Sequence, residues 1–242
     1  MKIYENVVIG NFLYGLGVAV GTRLDSDTLL PSVVNLIQQT PVDKELADVL
    51  LNFPGVVRLI EFKMKGARLT KERLRHRLLR AALDGENEVL VDTCRRVHWY
   101  VEVAASHAGA PLISRVVPYL DAFNPEFMEL KAGSIEQLVM QTAHEATREL
   151  EPLARERSEI YLRFLRSLQE NDPVDAGGVL LVMSGGGAMH YAQLRDICDL
   201  SMPHRVWLER ELRGPEIAPR TPSLERREKQ KVRKHKGPEI GM

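Results

Sequence analysis

The chain has few cysteines, no net charge and no long hydrophobic run, and each shortage removes a class of protein. Two cysteines among 242 residues, Cys94 and Cys198, stand too far apart for a disulfide framework or a zinc site. Reduced thiols of a cytoplasmic protein are expected instead. Lysine and arginine total 33 against 33 acidic residues, so overall charge names no partner and its distribution must. The uncharged apolar run near the start, Val7 to Gly21, has 15 residues and includes Gly10, Gly15, Gly17 and Gly21. A bilayer span takes roughly 20 residues, and the opening Met-Lys-Ile-Tyr-Glu lacks the basic region of a signal peptide. The run is therefore read as a buried first helix of a soluble protein with no membrane partner.

Two nucleophile and phosphate signatures are missing as well. Val182 to Ala188 reads Val-Met-Ser-Gly-Gly-Gly-Ala, which is similar to the glycine-rich oxyanion loop of patatin-like lipases, but no Gly-x-Ser-x-Gly elbow occurs in the chain. No Gly-Lys-Ser/Thr follows the glycines either, so this is not a Walker loop. A hairpin turn is the simpler expectation. His76, His107, His144 and His190 show no metal-ligand spacing. His98-Trp99-Tyr100 suggests a base-stacking platform, yet strand alternation divides the three between two faces, which favours a mixture of core and cleft.

What is present suits one large α/β domain over residues 1–212, followed by a basic tail over 213–242. The pattern predicts a first helix from Tyr4 to Val18 and a short helix, opened by Pro31, from Ser32 to Gln39. Two strands are expected, Glu45 to Leu51 and Val56 to Met64, joined through Asn52-Phe53-Pro54-Gly55 with Gly55 at positive φ. A basic helix from Thr70 to Leu83 follows, stopping near Asp84-Gly85, and then a strand from Val97 to Val103. Residues 112–170 read as a largely helical insertion, broken in its later half at Pro152. Gly178 to Met183 is a further strand, and His190 to Leu200 a short strand or helix. In the tail, Glu225 to Lys236 carries seven basic residues and two glutamates, and prolines at 215, 219, 222 and 238 argue for disorder. Gly-Pro-Glu-Ile occurs at 214–217 and again at 237–240, a repetition without a physical account.

The chemistry concentrates in residues 48–63, Asp48-Val-Leu-Leu-Asn-Phe-Pro-Gly-Val-Val-Arg-Leu-Ile-Glu61-Phe-Lys63. Alternation along a strand places Glu61 and Lys63 on one face and Ile60 and Phe62 on the other. A hairpin returning through Pro54-Gly55 can bring Asp48 beside Glu61. Two such carboxylates repel unless a cation lies between them, and hard oxygen donors suit Mg²⁺, or Mn²⁺, rather than zinc. An ammonium at Lys63 beside that ion can orient water or stabilise phosphoryl oxygens.

An aspartate, a turn, and Glu-x-Lys ending an apolar strand resemble the PD-(D/E)XK nuclease superfamily over roughly Glu45 to Val103. The resemblance implies a restriction-endonuclease-like fold, a mixed central sheet flanked by helices, and a metal-dependent nuclease that hydrolyses phosphodiesters of DNA rather than RNA. It implies Asp48, Glu61 and Lys63 as catalytic residues, with Asp48 and Glu61 binding Mg²⁺. The family's extra helical ligand would fall on Glu5. Ala47 stands where the motif has proline. Downstream, Lys63 to Arg80 holds eight basic residues against Glu72 alone. Lys65, Arg68, Arg73, Arg77 and Arg80 are the expected phosphate contacts, with Leu74, Leu78 and Ala82 as the apolar stripe. The competing expectation pairs those bases internally with acidic helices at Glu145, Glu149 and Glu156. A non-catalytic adaptor within a larger nucleic-acid-processing complex is the rival function, and a homodimer stays open.

Overall fold

The computed structural model describes residues 3–37, 47–104, 109–124, 133–168 and 178–194. Helix α1 (Glu5–Gly21) leads into β1 (Leu29–Leu36), β2 (Val49–Phe53) and β3 (Val56–Met64). Helix α2 (Thr70–Leu83), a 3₁₀ turn (Gly85–Leu90) and α3 (Val91–Val97) then carry the chain to β4 (His98–Ala104). After these come β5 (Ile113–Pro118), α4 (Ile135–Ala146), α5 (Pro152–Ser167) and the hairpin β6 (Gly178–Ser184) and β7 (Met189–Leu194).

The described strands form one mixed sheet of seven, in the order β5-β4-β3-β2-β1-β6-β7. Neighbours are antiparallel except β3 and β4, which are parallel. A parallel pair needs a long crossover, and α2 with α3 supplies it. Helices cover both faces, so the protein is α/β. On one face Leu50, Leu59 and Tyr100 pack with Leu79 and Leu83 of α2, Cys94 and Val97 of α3, and Tyr161, Leu162 and Leu165 of α5. On the other, Val49, Leu51, Ile60, Phe62 and Val101 pack with Ile9, Phe12 and Leu16 of α1 and with Leu138 and Ala143 of α4. Both faces of β3 are buried through Phe62, Arg58 and Glu61 included.

Several sequence expectations are corrected. Of the helix expected over 32–39, residues 32–36 continue a strand instead, and residues 38–39 lie outside the described residues. Val33 and Val34 are β-branched and suit a pleated surface, and β1 pairs with β2 on one side and β6 on the other. Pro31, which cannot donate, lies in the stretch paired only to β6, so its missing N–H costs no second ladder. The segment 112–170 opens with a strand, β5, hydrogen-bonded along β4, before it becomes helical. Helix α1 is not buried all round: Val8, Ile9, Phe12, Leu16 and Val20 face the core, while Val7, Tyr14 and Val18 are exposed.

Gly55 does not have positive φ. Positive φ occurs instead at Gly66, Gly85, Gly109 and Gly187. Gly55 is needed for a close approach, because a Cβ there would run into the backbone carbonyls of Glu145 and Arg148 at the end of α4. That end is held by Leu150 N donating to Pro54 O at 2.9 Å and by Arg155 donating to Phe53 O at 3.2 Å. The start of α4 carries a capping box, Ser134 with Gln137. Among the described residues no helix is long and apolar enough to cross a membrane, and Cys94 is a free, buried thiol. The expected disordered tail and Cys198 lie outside the described residues.

Candidate active site

The β2–β3 register sets the geometry. Val49 pairs with Ile60, so Asp48 begins its strand level with the stretch of β3 that carries Glu61. Asp48 is tied in by its backbone, which donates to Ile60 O at 3.2 Å and accepts from Ile37 N at 2.8 Å. Its carboxylate Oδ2 accepts from the amide of Phe62 at 2.7 Å, where the β2 ladder has run out. Glu61 and Lys63 alternate with Ile60 and Phe62 as the strand period requires, and they point toward the α2 side of the sheet.

Lys63 is the centre of the cluster. Its ammonium donates to Glu61 Oε1 and to the carbonyl of Phe62 at 2.8 Å. It also lies 3.7 Å from Asp48 Oδ2 and 3.9 Å from Glu72 Oε2. The fold thus brings Asp48, Glu61 and Lys63 to one point, as the hairpin argument expects. Glu5 sits in the first turn of α1, half-buried, and its charge adds to the field at Lys63.

Sequence reasoning misses Glu72, Arg75, Tyr119 and Tyr100. In the sequence Glu72 counts only as the lone acid in a basic helix, yet it is 4% exposed and faces the sheet. Arg75, one turn on, reaches Glu72 Oε2 at 3.5 Å and Glu61 Oε1 at 4.0 Å. Tyr119 donates its hydroxyl to Glu72 Oε1, and its ring stacks on His98 at 4.1 Å. Tyr100, opposite Glu61 in β4, has a buried hydroxyl without a hydrogen-bond partner among the described residues. The available signal is spacing: Glu72, His76, Leu79 and Leu83 recur at helical intervals and form the inward face of α2. The expected apolar stripe is overturned, because Leu74 and Leu78 are 50% and 58% exposed. Polar Glu72 and His76 take the inward face since each finds a buried partner, His76 through Leu120 O at 2.8 Å.

Three carboxylates, Asp48, Glu61 and Glu72, therefore face two cations, Lys63 and Arg75. Burial, then repulsion from Glu72 and Asp48, holds Glu61 well above the usual carboxylate range. Burial alone would lower Lys63, but Glu61 and Asp48 more than reverse this and keep it charged. Burial and the neighbouring Glu72 push the Tyr119 phenol up. Among the described residues no three His, Cys, Asp or Glu side chains are arranged to hold a metal ion. In this geometry an ammonium fills the point on which the acids converge. The carboxylates themselves are hard oxygen donors of the class that Mg²⁺ takes.

The expected phosphate contacts are all exposed: Lys65 and Arg68 after β3, and Arg73, Arg77 and Arg80 on α2. Arg73 lies over the Phe123 ring at 5.9 Å. The internal pairing with Glu145 does not form, because Arg58 takes that carboxylate at 2.6 Å. His98 and Tyr100 are core residues, and Trp99 is half-buried. Ser184 Oγ accepts from Ala188 N at 3.0 Å and closes the β6–β7 turn. No family model, curated protein or solved structure matches this chain.

Proposed function

We propose that the protein is a metal-dependent nuclease of the PD-(D/E)XK type, acting on DNA in preference to RNA. The observation that carries this reading is the convergence of Asp48, Glu61 and Lys63, from the two arms of one hairpin, on a single buried point. A mixed sheet flanked by helices is in keeping with it. Asp48 and Glu61 would hold Mg²⁺ or Mn²⁺, with Glu5 of α1 as a further ligand. A bound dication polarises the scissile phosphate and lowers the pKa of bound water. Lys63 has the charge and position to orient the attacking water and to stabilise the phosphoryl oxygens. Arg75 and the Tyr119 hydroxyl hold Glu72 against Lys63, which fixes the ammonium. The exposed bases of α2 suit backbone phosphates, which are bound without regard to sequence.

The rival reading, a non-catalytic adaptor in a larger complex, is favoured by one feature. The acids are nearly closed off, with side-chain exposure of 4% at both Asp48 and Glu61. Incubation of the full chain with plasmid and single-stranded DNA in Mg²⁺, in Mn²⁺ and in EDTA separates the two. Cleavage that needs the metal and is lost in Glu61→Gln supports the nuclease. Intact DNA under every condition, with DNA still bound, supports the adaptor.

A further inference from the structure

Among the described residues the sheet has two edges, and only one of them is guarded. At the first, β5 carries Arg115 and ends at Pro118. Val116 exchanges two hydrogen bonds with Gly133 there, at 3.0 and 2.9 Å, and Ser114 Oγ accepts from Ile135 N at 2.9 Å. Charge, proline and a covering segment are the usual guards of an open edge. At the second edge, β7 pairs with β6 alone among the described residues. From Ser184 to Leu194 the chain has no lysine, arginine, aspartate, glutamate or proline. Met189 and Tyr191 are 57% and 69% exposed, and His190 and Gln193 are exposed too, so side chains on both faces of β7 are open to solvent.

The turn fixes which backbone groups are left over. Ser184 N donates to Ala188 O at 2.9 Å, so the Ala188 carbonyl faces β6. The β6–β7 register is regular from Met183–Met189 to Gly178–Leu194. Successive residues of an antiparallel ladder turn their N–H and C=O alternately to one neighbour and the other. Met189, Tyr191 and Gln193 therefore direct theirs away from β6, one N–H and one C=O from each. Such a row is met only by another extended stretch of chain.

We propose that β7 pairs with β7 of a second copy of this chain, antiparallel about a two-fold axis, so that two sheets become one. The row is self-complementary in the register centred on Tyr191. There Tyr191 lies opposite its own counterpart, and Met189 lies opposite Gln193 of the second copy. This register uses every outward N–H and C=O of the three residues and sets no like charges against each other. Residues opposite one another share a face, so the exposed Tyr191 rings and Met189 side chains come together across the axis. A two-fold contact uses the same patch on both copies and closes at two. Six residues of strand run about 20 Å, which gives less than a standard interface, so the dimer is weak and its population follows concentration. The inference does not depend on the nuclease reading, because Asp48, Glu61 and Lys63 belong to the β2–β3 hairpin in the middle of the sheet.

Sedimentation velocity on the full chain, from low micromolar to millimolar concentration, tests it alongside amide hydrogen exchange. The chain should pass from monomer to dimer and no further. Exchange at Met189, Tyr191 and Gln193 should slow at least tenfold as the dimer fills, while that of β5 stays constant. Tyr191→Lys puts two ammonium groups opposite each other across the axis and should weaken association at least tenfold, with the circular dichroism of the monomer unchanged. Gln193→Lys combined with Met189→Glu sets opposite charges against each other in the same register and should associate at least as tightly as the parent. Tyr14→Lys, at an exposed position of α1, should associate like the parent. A monomer at every concentration overturns the proposal and leaves the edge to a different chain. Growth beyond a dimer overturns it too, as does a dimer whose β7 amides exchange at the monomer's rate, one that Tyr191→Lys leaves intact, or one that the double variant abolishes.

Discussion

Replacing Lys63 with alanine removes the charge around which the acidic cluster is built. In its absence the cluster keeps Arg75, which reaches Glu72 at 3.5 Å and Glu61 at 4.0 Å. Removing one partner of a buried ion pair costs about 3–5 kcal/mol. Lys63 keeps 18% of its side chain exposed, so the lower end, about 3 kcal/mol, is expected at neutral pH. For a domain of this size that is a fall in melting temperature of about 6–12 °C. The sign with pH follows from the shifts. Lys63 is raised, so its stabilising charge is present throughout the physiological range and is lost only above the ordinary lysine range. Glu61 is also raised, so its ionisation opposes folding as pH climbs and that opposition fades as it takes up a proton. The deficit of the variant should therefore be largest near pH 8 and shrink toward pH 5. Adding Mg²⁺ should recover part of it, since a dication replaces the missing charge. Melting followed by circular dichroism at both pH values, in EDTA and in MgCl₂, measures all three effects. A variant that melts within 2 °C of the parent at pH 8, with no response to pH or Mg²⁺, would refute the view of Lys63 as the cluster's counter-charge.

Gly55→Ala should destabilise by about 1–3 kcal/mol through overpacking against the α4 carbonyls, read as a lower denaturation midpoint with an unchanged m-value. An unchanged midpoint would mean the turn and α4 part easily. Burial, with Arg75 and His76 nearby, pushes His98 down to about 3. The unfolded chain then takes up a proton that the folded one does not, and stability should fall by about 2 kcal/mol between pH 7 and pH 5. His98→Phe should flatten that limb in urea titrations at the two pH values, and a limb of equal slope would assign the loss elsewhere. Arg73→Ala with Arg77→Ala should weaken DNA binding alike on unrelated sequences. The slope of log K against log salt should fall by about 0.9 for each phosphate no longer neutralised, whereas an unchanged slope would remove α2 from the interface.

How much of this can be read in the residues depends on whether the governing interaction is local. The β3 strand, α2 and the Asp48–Glu61–Lys63 convergence rest on strand alternation, a two-residue turn and helical period, all written within short windows of sequence. Residues from Ser32 onward read as helix because Pro31 opens helices as readily as it tolerates an edge. Pairing with β2 and with β6, the latter about 150 residues away, decides for a strand. Gly55 stands out in the sequence as a turn residue, but the carbonyls that exclude a side chain there belong to α4. Glu72 is the clearest case. In a helix with many bases a single acid looks like surface punctuation, and α2 reads as two stripes, one basic and one leucine-rich. The fold instead turns Leu74 and Leu78 outward and Glu72 inward. A carboxylate is buried there only because Lys63 of β3, Arg75 one turn on and Tyr119 beyond β5 all meet it. Burial of a lone acid on an otherwise basic helix is costly unless its partners are supplied. The inward turn of Glu72 is thus itself a sign that the Lys63 cluster, rather than apolar packing alone, sets the orientation of α2.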